Sequence, residues 1–285
     1  MTESAQFHTH YGVPLRSYPA LDHLHLHSEA GVTGVGLTPG VELHFYSELS
    51  PSDTLFVAFH GAMRPDKDTY PRFERVESLK RRSQTFMSFA DPTWHLNHKL
   101  ALSWFLGGPE WDALDPIEAV IRRAMAFTGA NRVIFVGGSG GGFAALRASI
   151  RFRHSLAYVQ SPQTVVTRYV PDVVETYFES VWSRDKQDVT MSLPLRFDLA
   201  SLYRENPGAN YVYYLQNFND HVHIRDHYKP FKRVHGVAEV HGTSNDGTKR
   251  FYLSDSQLLR HGPPTAAEFE LNFDRALEFY GNATS

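Results

Sequence analysis

The 285-residue chain carries 28 Lys and Arg against 31 Asp and Glu, a net charge of −3, and so lacks the basic face that a nucleic-acid partner wants. It has no cysteine, which excludes a disulfide framework, a thiolate metal site and a thiol nucleophile. Apolar residues at 42% and charged residues at 21% suit a globular protein with a real core. No apolar run approaches the roughly 18 residues of a membrane span. The first twenty residues show no basic segment followed by an apolar one. The expectation is therefore a single cytoplasmic domain over 1–285, with no signal peptide.

In chain order, the first forty residues are rich in His, Gly and Pro and read as irregular or edge-strand structure. "VELHFYSEL" (41–49) alternates like a half-buried strand. "TLFVAFHGA" (54–62) is an apolar run ending in His-Gly, as expected of a buried strand feeding a loop. The charged stretch 64–82 reads as loop and surface. "QTFMSFADPT" is a strand stopped at Asp91-Pro92. "PIEAVIRRAMAFTGA" (116–130) has helical spacing, an early Pro and a stop at Gly129. Next come the strand "RVIFV", a glycine turn, the helix "GFAALRASIRF" and the strand "SLAYVQSP". Residues 164–208 look helical, an excursion over one edge of the sheet. "NYVYYLQNF" (210–218) is a strand again, with "VHGVAEVHG" a candidate for the next and "RFYLSDSQLL" ambiguous. An amphipathic helix between Pro264 and Gly281 closes the chain. Alternating strands and helices define an α/β class with a mostly parallel central sheet and helices on both faces. Sites in such sheets lie outside the carboxyl ends of the strands.

The glycine turn carries the chemistry. "RVIFVGGSGGGFAALRA" (132–148) admits three readings. A Walker A loop needs a lysine after the last glycine, and Phe143 stands there. A dinucleotide loop needs an acid at the end of the following strand, and no Asp or Glu occurs between Ala144 and Pro171. A nucleophile elbow needs Gly-x-Ser-x-Gly between a strand and a helix, and Gly137 to Gly141 supply it around Ser139. The competing structural reading is a βα turn in which Ser139 only caps the helix. A serine hydroxyl is a weak nucleophile until a histidine takes its proton and an acid holds that histidine.

The strand-His60-Gly61 loop, the Gly-x-Ser-x-Gly elbow and a late acid followed by histidine resemble the α/β-hydrolase superfamily from about Val41 onward. The resemblance implies an ester-acting serine enzyme working through an acyl-enzyme. Ser139 is then the nucleophile and Asp220, after the strand 210–218, the acid. His261, in "LLRHGPPTAAEFE" before the last helix, is the base. His241 is a rival for the base, and Asp226 is a second acid in the same loop as Asp220. The oxyanion hole falls to the backbone N–H groups of Gly140 and Ala62. "GGSGGGFAALRAS", "SPQTVVTRY" and "LQNFNDHVHIRDHYKPF" are also similar to hydrolase-like proteins of bacterial surface-glycan assembly, including acyltransferases of accessory secretion systems. That similarity implies a glycan or small-molecule ester as substrate, with either hydrolysis or acyl transfer. A non-enzymatic accessory protein of the same fold is the alternative.

Two histidine clusters remain. His23, His25 and His27 alternate with leucines, which on a strand gives either three zinc ligands on one face or a polar outer face. His221, His223 and His227 follow Asp220 on what reads as one loop, which gives either a second set of metal ligands with Asp220 or a plain polar loop. The expectation is no metal and no cofactor.

Overall fold

A computed structural model describes residues 7–8, 10–64, 66–208, 210–256 and 258–284. The chain divides into two compact units, Met1–Val133 and Ile134–Ser285.

The N-terminal unit holds β1 (Phe7–His8), β2 (Val13–Tyr18), β3 (Gly31–Thr38), β4 (Val41–Leu49) and β5 (Thr54–Phe59). After them come α1 (Val76–Arg82), β6 (Thr85–Phe89) and α2 (Leu114–Thr128). Its strands lie in the order β1-β2-β3-β4-β6-β5. β2/β3 and β5/β6 are parallel, while β1/β2, β3/β4 and β4/β6 are antiparallel. All five residues of β6 are buried, as expected of a strand covered on both faces. α2 turns Ile117, Val120, Ile121 and Ala124 inward and packs on β4 and β5. Gly129, at φ +80°, ends it and returns its N–H to the Met125 carbonyl, the left-handed stop that glycine allows.

Two expectations fail in this unit. The charged stretch contains a helix, α1, because Val76 and Leu79 share one buried face while Lys80, Arg81 and Arg82 crowd its carboxyl end, where cations suit the helix dipole. The His-Leu-His-Leu-His run forms no strand. Leu21–His23 is a 3₁₀ turn, and His27 Nε2 bonds to the Tyr18 hydroxyl at 3.0 Å, so the three imidazoles do not line one strand face.

The C-terminal unit continues β7 (Arg132–Gly138) into α3 (Ser139–Ser149), then β8 (Leu156–Gln160). Four helices follow: α4 (Pro171–Val181), α5 (Lys186–Ser192), α6 (Pro194–Phe197) and α7 (Leu199–Glu205). They occupy the region read as a helical excursion. β9 (Tyr211–Asn217) leads into α8 (His221–His223), a π-helical turn (Ile224–Tyr228) and α9 (Lys229–Val234). The unit ends with β10 (Gly242–Thr243), β11 (Lys249–Ser254) and α10 (Ala266–Thr284). The strand order is β7-β8-β9-β11-β10. The first four are parallel and β10 is antiparallel to β11. α10 buries Phe269, Phe273, Ala276 and Tyr280 and packs on β8 and β9, with Phe273 stacked on Tyr158 at 5.0 Å.

Three expectations are corrected here. "VHGVAEVHG" is not the next parallel strand. Gly236, at φ +70°, turns the chain after α9, Val240 is exposed, and only Gly242–Thr243 pairs. The ambiguous "RFYLSDSQLL" supplies that strand as β11 instead. The segment after Asp220 is helical rather than a loop. Gly281 does not stop the last helix, since a single glycine costs only about 1 kcal/mol against alanine and the buried stripe runs on through Tyr280.

β7, β8, β9 and β11 run the same way, so their carboxyl ends at Gly138, Gln160, Asn217 and Ser254 share one edge. The segments that leave that edge carry Ser139, Gln163, Asp220 and His261.

Candidate active site

The elbow is built by sterics. Gly138 is extended (φ −115°, ψ 151°) and Ser139 sits at φ +54°, in the left-handed region. That conformation costs a non-glycine residue about 1–3 kcal/mol, and the turn persists because its neighbours are glycines. A Cβ on Gly137 would lie 2.2 Å from the Gly141 carbonyl oxygen, and one on Gly142 would lie 2.6 Å from Pro162 Cβ. The strand therefore passes directly into α3 with Ser139 at its tip. α3 has no side-chain cap, and the first N–H groups of a helix have no intrahelical acceptor. Gly140, the second residue of α3, presents one of them.

Asp220 stands three residues beyond the end of β9 and is buried. It caps α8 by accepting from the His223 N–H at 3.2 Å, which fixes the carboxylate. The neighbouring asparagines tie in the loop that bears His261. The Asn217 amide donates to the Leu258 and Arg260 carbonyls at 2.9 and 3.0 Å, and the Asn219 amide donates to the Ser256 carbonyl at 2.8 Å. His261 Nδ1 is then 2.7 Å from Asp220 Oδ2, and its Nε2 is 2.9 Å from Ser139 Oγ. Asp220 can only accept in its ionised form, so Nδ1–H donates to it and Nε2 accepts the Ser139 hydroxyl hydrogen. The structure thus brings together Ser139, Asp220 and His261. His241 lies elsewhere, with Nδ1 accepting from the Leu253 N–H at 3.4 Å. Asp226 is engaged by Arg225 through two bonds of 2.7 and 2.6 Å.

Three further side chains reach the same place. Gln163 Nε2 is 2.9 Å from Ser139 Oγ and 2.9 Å from His223 Nε2. His223 Nδ1 is 3.1 Å from Asp220 Oδ1, and its ring lies flat on that of His261, 3.9 Å between centroids and 4° between planes. Tyr169 is hydrogen-bonded to Ser139 and meets His223 edge-on at 6.0 Å. The sequence signals for them were slight. Gln163 lies just past a strand end at the sheet edge, and His223 is three residues beyond a helix-capping acid.

Burial works against ionising Asp220, but the hydrogen bonds from His223 and His261 outweigh it and hold the carboxyl well below the usual range. Burial pushes His223 down, only partly offset by its bond to Asp220, so this imidazole is neutral. Asp220, His223 and His261 offer ligand atoms within 4.8 Å of one another, a spacing a metal ion could use. Both Nδ1 atoms instead bond the shared carboxylate.

A cleft of about 780 Å³ opens beside these residues. His261, with 28% of its side chain exposed, Asp220, His223 and Tyr169 line it, with Arg168, Arg225 and Arg260. Arg225 is spent on Asp226, whereas Arg168 and Arg260 bond to no carboxylate among the described residues. Ala62, the other expected oxyanion donor, stands in the loop after β5 of the N-terminal unit, where its carbonyl accepts from Arg72 at 2.7 Å.

The solved structures similar to this chain carry the same architecture. The capsule O-acetyltransferase of Neisseria meningitidis serogroup A aligns with a TM-score of 0.64 at 15% identity, over 86% of this chain and 94% of that one. A mutant of that enzyme in complex with CoA aligns equally well, at 16% identity. An S-formylglutathione hydrolase from Agrobacterium tumefaciens aligns at 0.53 and 13% identity, over 92% and 98% of the two chains. The Glycosylation Associate Protein (Gap123) complex from Streptococcus agalactiae aligns at 0.55 and 17%, over 88% of this chain and 45% of that one. No protein-family model matches the chain, and no curated protein sequence matches it. The chain has an α/β-hydrolase-type fold, the architecture shared by an acetyltransferase and a hydrolase among its neighbours.

Proposed function

We propose that the protein is a serine enzyme that transfers an acyl group from an ester or thioester through an acyl-enzyme. The observation that carries this reading is the unbroken chain from Ser139 Oγ to His261 Nε2 (2.9 Å) and from His261 Nδ1 to Asp220 Oδ2 (2.7 Å). In the first half-reaction Ser139 Oγ bonds to the acyl carbon and its proton passes to His261 Nε2. Asp220 holds the imidazole in the right tautomer and stabilises the imidazolium. The carbonyl oxygen becomes an oxyanion facing the N–H of Gly140; by resemblance the second donor is the N–H of Ala62. Collapse expels the alcohol or thiol, which leaves with the proton from His261. Water or an acceptor hydroxyl then attacks the acyl-enzyme, gives its proton to His261, and Ser139 recovers that proton as the product departs.

Two observations favour transfer over plain hydrolysis. One structural neighbour, the capsule O-acetyltransferase, is also known in complex with CoA. The cleft of this chain presents Arg168 and Arg260, neither in a salt bridge with a carboxylate among the described residues, although Arg168 lies near enough to Asp226 to favour its ionised form. Such guanidinium groups suit a donor bearing phosphate. A surface glycan or a small molecule with a free hydroxyl is the acceptor class. An accessory protein that keeps the fold without the chemistry would have no use for a base aligned on Ser139.

A fluorophosphonate probe reads the nucleophile directly. Labelling of the wild type and none of Ser139→Ala is expected, and equal labelling of both would sink the reading. Acetyl-CoA supplied with the labelling-competent enzyme then separates transfer from hydrolysis. Thiol release that rises with an added sugar acceptor indicates transfer, and release indifferent to acceptor indicates hydrolysis.

A further inference from the structure

Five side chains close a ring of hydrogen bonds around the candidate site. Going one way, the Ser139 hydroxyl donates to His261 and His261 donates to Asp220 Oδ2. Going the other way, the two hydrogens of the Gln163 amide divide between Ser139 Oγ and His223 Nε2, each at 2.9 Å, and His223 Nδ1–H donates to Asp220 Oδ1 at 3.1 Å. One proton placement satisfies all of these bonds with no charge on either imidazole. Both imidazoles are neutral with hydrogen on Nδ1, the carboxylate accepts twice, and the amide donates twice.

We propose that Gln163 and His223 are positioning residues, a second arm that sets the resting geometry of the triad. The Gln163 amide occupies a lone pair of Ser139 Oγ and so turns the hydroxyl hydrogen toward His261 Nε2. His223 holds one oxygen of Asp220, which leaves the other aimed at His261 Nδ1. The His223 ring, parallel to His261 at 3.9 Å, also keeps the base from tilting out of line. His223 is 5% and Asp220 4% exposed in their side chains, and Gln163 is fully buried. Water therefore cannot stand in for a lost partner, and a deleted bond leaves a buried group unsatisfied. Groups that act as a unit give effects that do not add. This inference rests on the reading of Ser139 as nucleophile.

The test is a double-mutant cycle on the full chain. Gln163→Met keeps the volume and removes the amide, and His223→Phe keeps the stacked ring and removes both nitrogens. The readouts are the rate of fluorophosphonate labelling, kcat and KM on a small neutral ester, and the melting temperature. Each variant should lose about 10- to 100-fold in labelling rate and kcat, with KM changed less than about threefold, as expected for loss of alignment rather than of binding. The double variant should fall no more than about threefold below the worse single one. Should His223→Phe fail to fold, Gln163→Met and Gln163→Glu carry the test, since a glutamate cannot donate to both neighbours at neutral pH. Wild-type labelling rates in folded variants, or losses that multiply in the double, overturn the arm alone. No Ser139-dependent labelling in the wild type overturns the underlying reading and the arm with it.

Discussion

Each unit of the molecule pairs a histidine with a buried aspartate, and the two pairs are built for different ends. In the N-terminal unit His60 is sealed. Its Nδ1–H donates to the Gly61 carbonyl at 2.7 Å and its Nε2 accepts from the Asp91 N–H at 3.0 Å. The Asp91 carboxylate is filled by the Thr93 N–H, the Ser103 hydroxyl and the Phe105 N–H at 3.0, 2.8 and 2.6 Å. Almost every partner is backbone, and the pair pins two loops together. In the C-terminal unit Asp220 also accepts several bonds, but two come from imidazoles, and one of those ends on the Ser139 hydroxyl beside an open cleft. The residue types match. Only in the second pair does an imidazole nitrogen face a side-chain hydroxyl, the arrangement that general-base proton transfer requires.

The sharpest way to break this contrast is to neutralise each acid in turn. Asp220→Asn should lower kcat/KM by about 10⁴-fold, because an amide cannot hold both Nδ1–H tautomers. Its melting temperature should change little, since asparagine also caps a helix well and the His261 imidazole can switch tautomer so that Nδ1 accepts the amide hydrogen. Asp91→Asn should do the reverse. One of its three donors meets an amide hydrogen instead of an oxygen, at a cost of about 2–3 kcal/mol, or roughly 5–10 °C, while kcat stays within about tenfold. Steady-state kinetics and thermal melts on both proteins decide it. Equal kinetic losses would erase the distinction between the pairs.

A second test asks whether the elbow that presents Ser139 is as tightly determined as the acid beside it. Gly137→Ala forces a Cβ to 2.2 Å from backbone, whereas at Gly138 the nearest atom outside the turn, the Gln160 carbonyl oxygen, is 3.6 Å away. Gly137→Ala should cost more than about 3 kcal/mol, through strain at a site that cannot give. Gly138→Ala should stay within about 1 kcal/mol, its φ being one that alanine adopts freely. Denaturant midpoints measure both, and similar midpoints would show that the elbow is not held by this contact.

This pair also shows what sequence could reveal. The elbow is local: Gly137, Ser139 and Gly141 constrain one another across four residues, so the spacing is visible in the chain. The parallel strands β7, β8 and β9 were legible for the same reason, as apolar runs with turn residues behind them. The site's second arm was not. Gln163 and His223 are 60 residues apart and meet only because β8 and β9 end on the same edge, while His223 turns inward because Asp220 starts a helix where composition suggested a loop. β11 was ambiguous because its residues are only half-buried, and "VHGVAEVHG" looked the better strand until Gly236 turned the chain. α1 was hidden in a charged run because the helix itself buries only Val76 and Leu79.

The smallest effect concerns three histidines whose imidazoles resist protonation. Burial lowers His44 to about 4, aided by the nearby His95, and lowers His60 to about 4 and His227 to about 3. An unfolded histidine titrates near 6.5. Between about pH 6.5 and 4 the unfolded chain therefore takes up protons that the folded chain refuses, and stability falls as pH drops through that window. Above it these groups are neutral in both states and contribute no slope. His44→Phe keeps a ring packed against His95 and Tyr70 and removes one titrating group. The variant's stability should match the wild type's pH dependence above about 6.5 and fall less steeply below it, by up to about 1.4 kcal/mol per pH unit. Urea midpoints from pH 8 to 4.5 measure the slope, and an unchanged slope would mean that His44 gains its proton in the folded protein as readily as in the unfolded one.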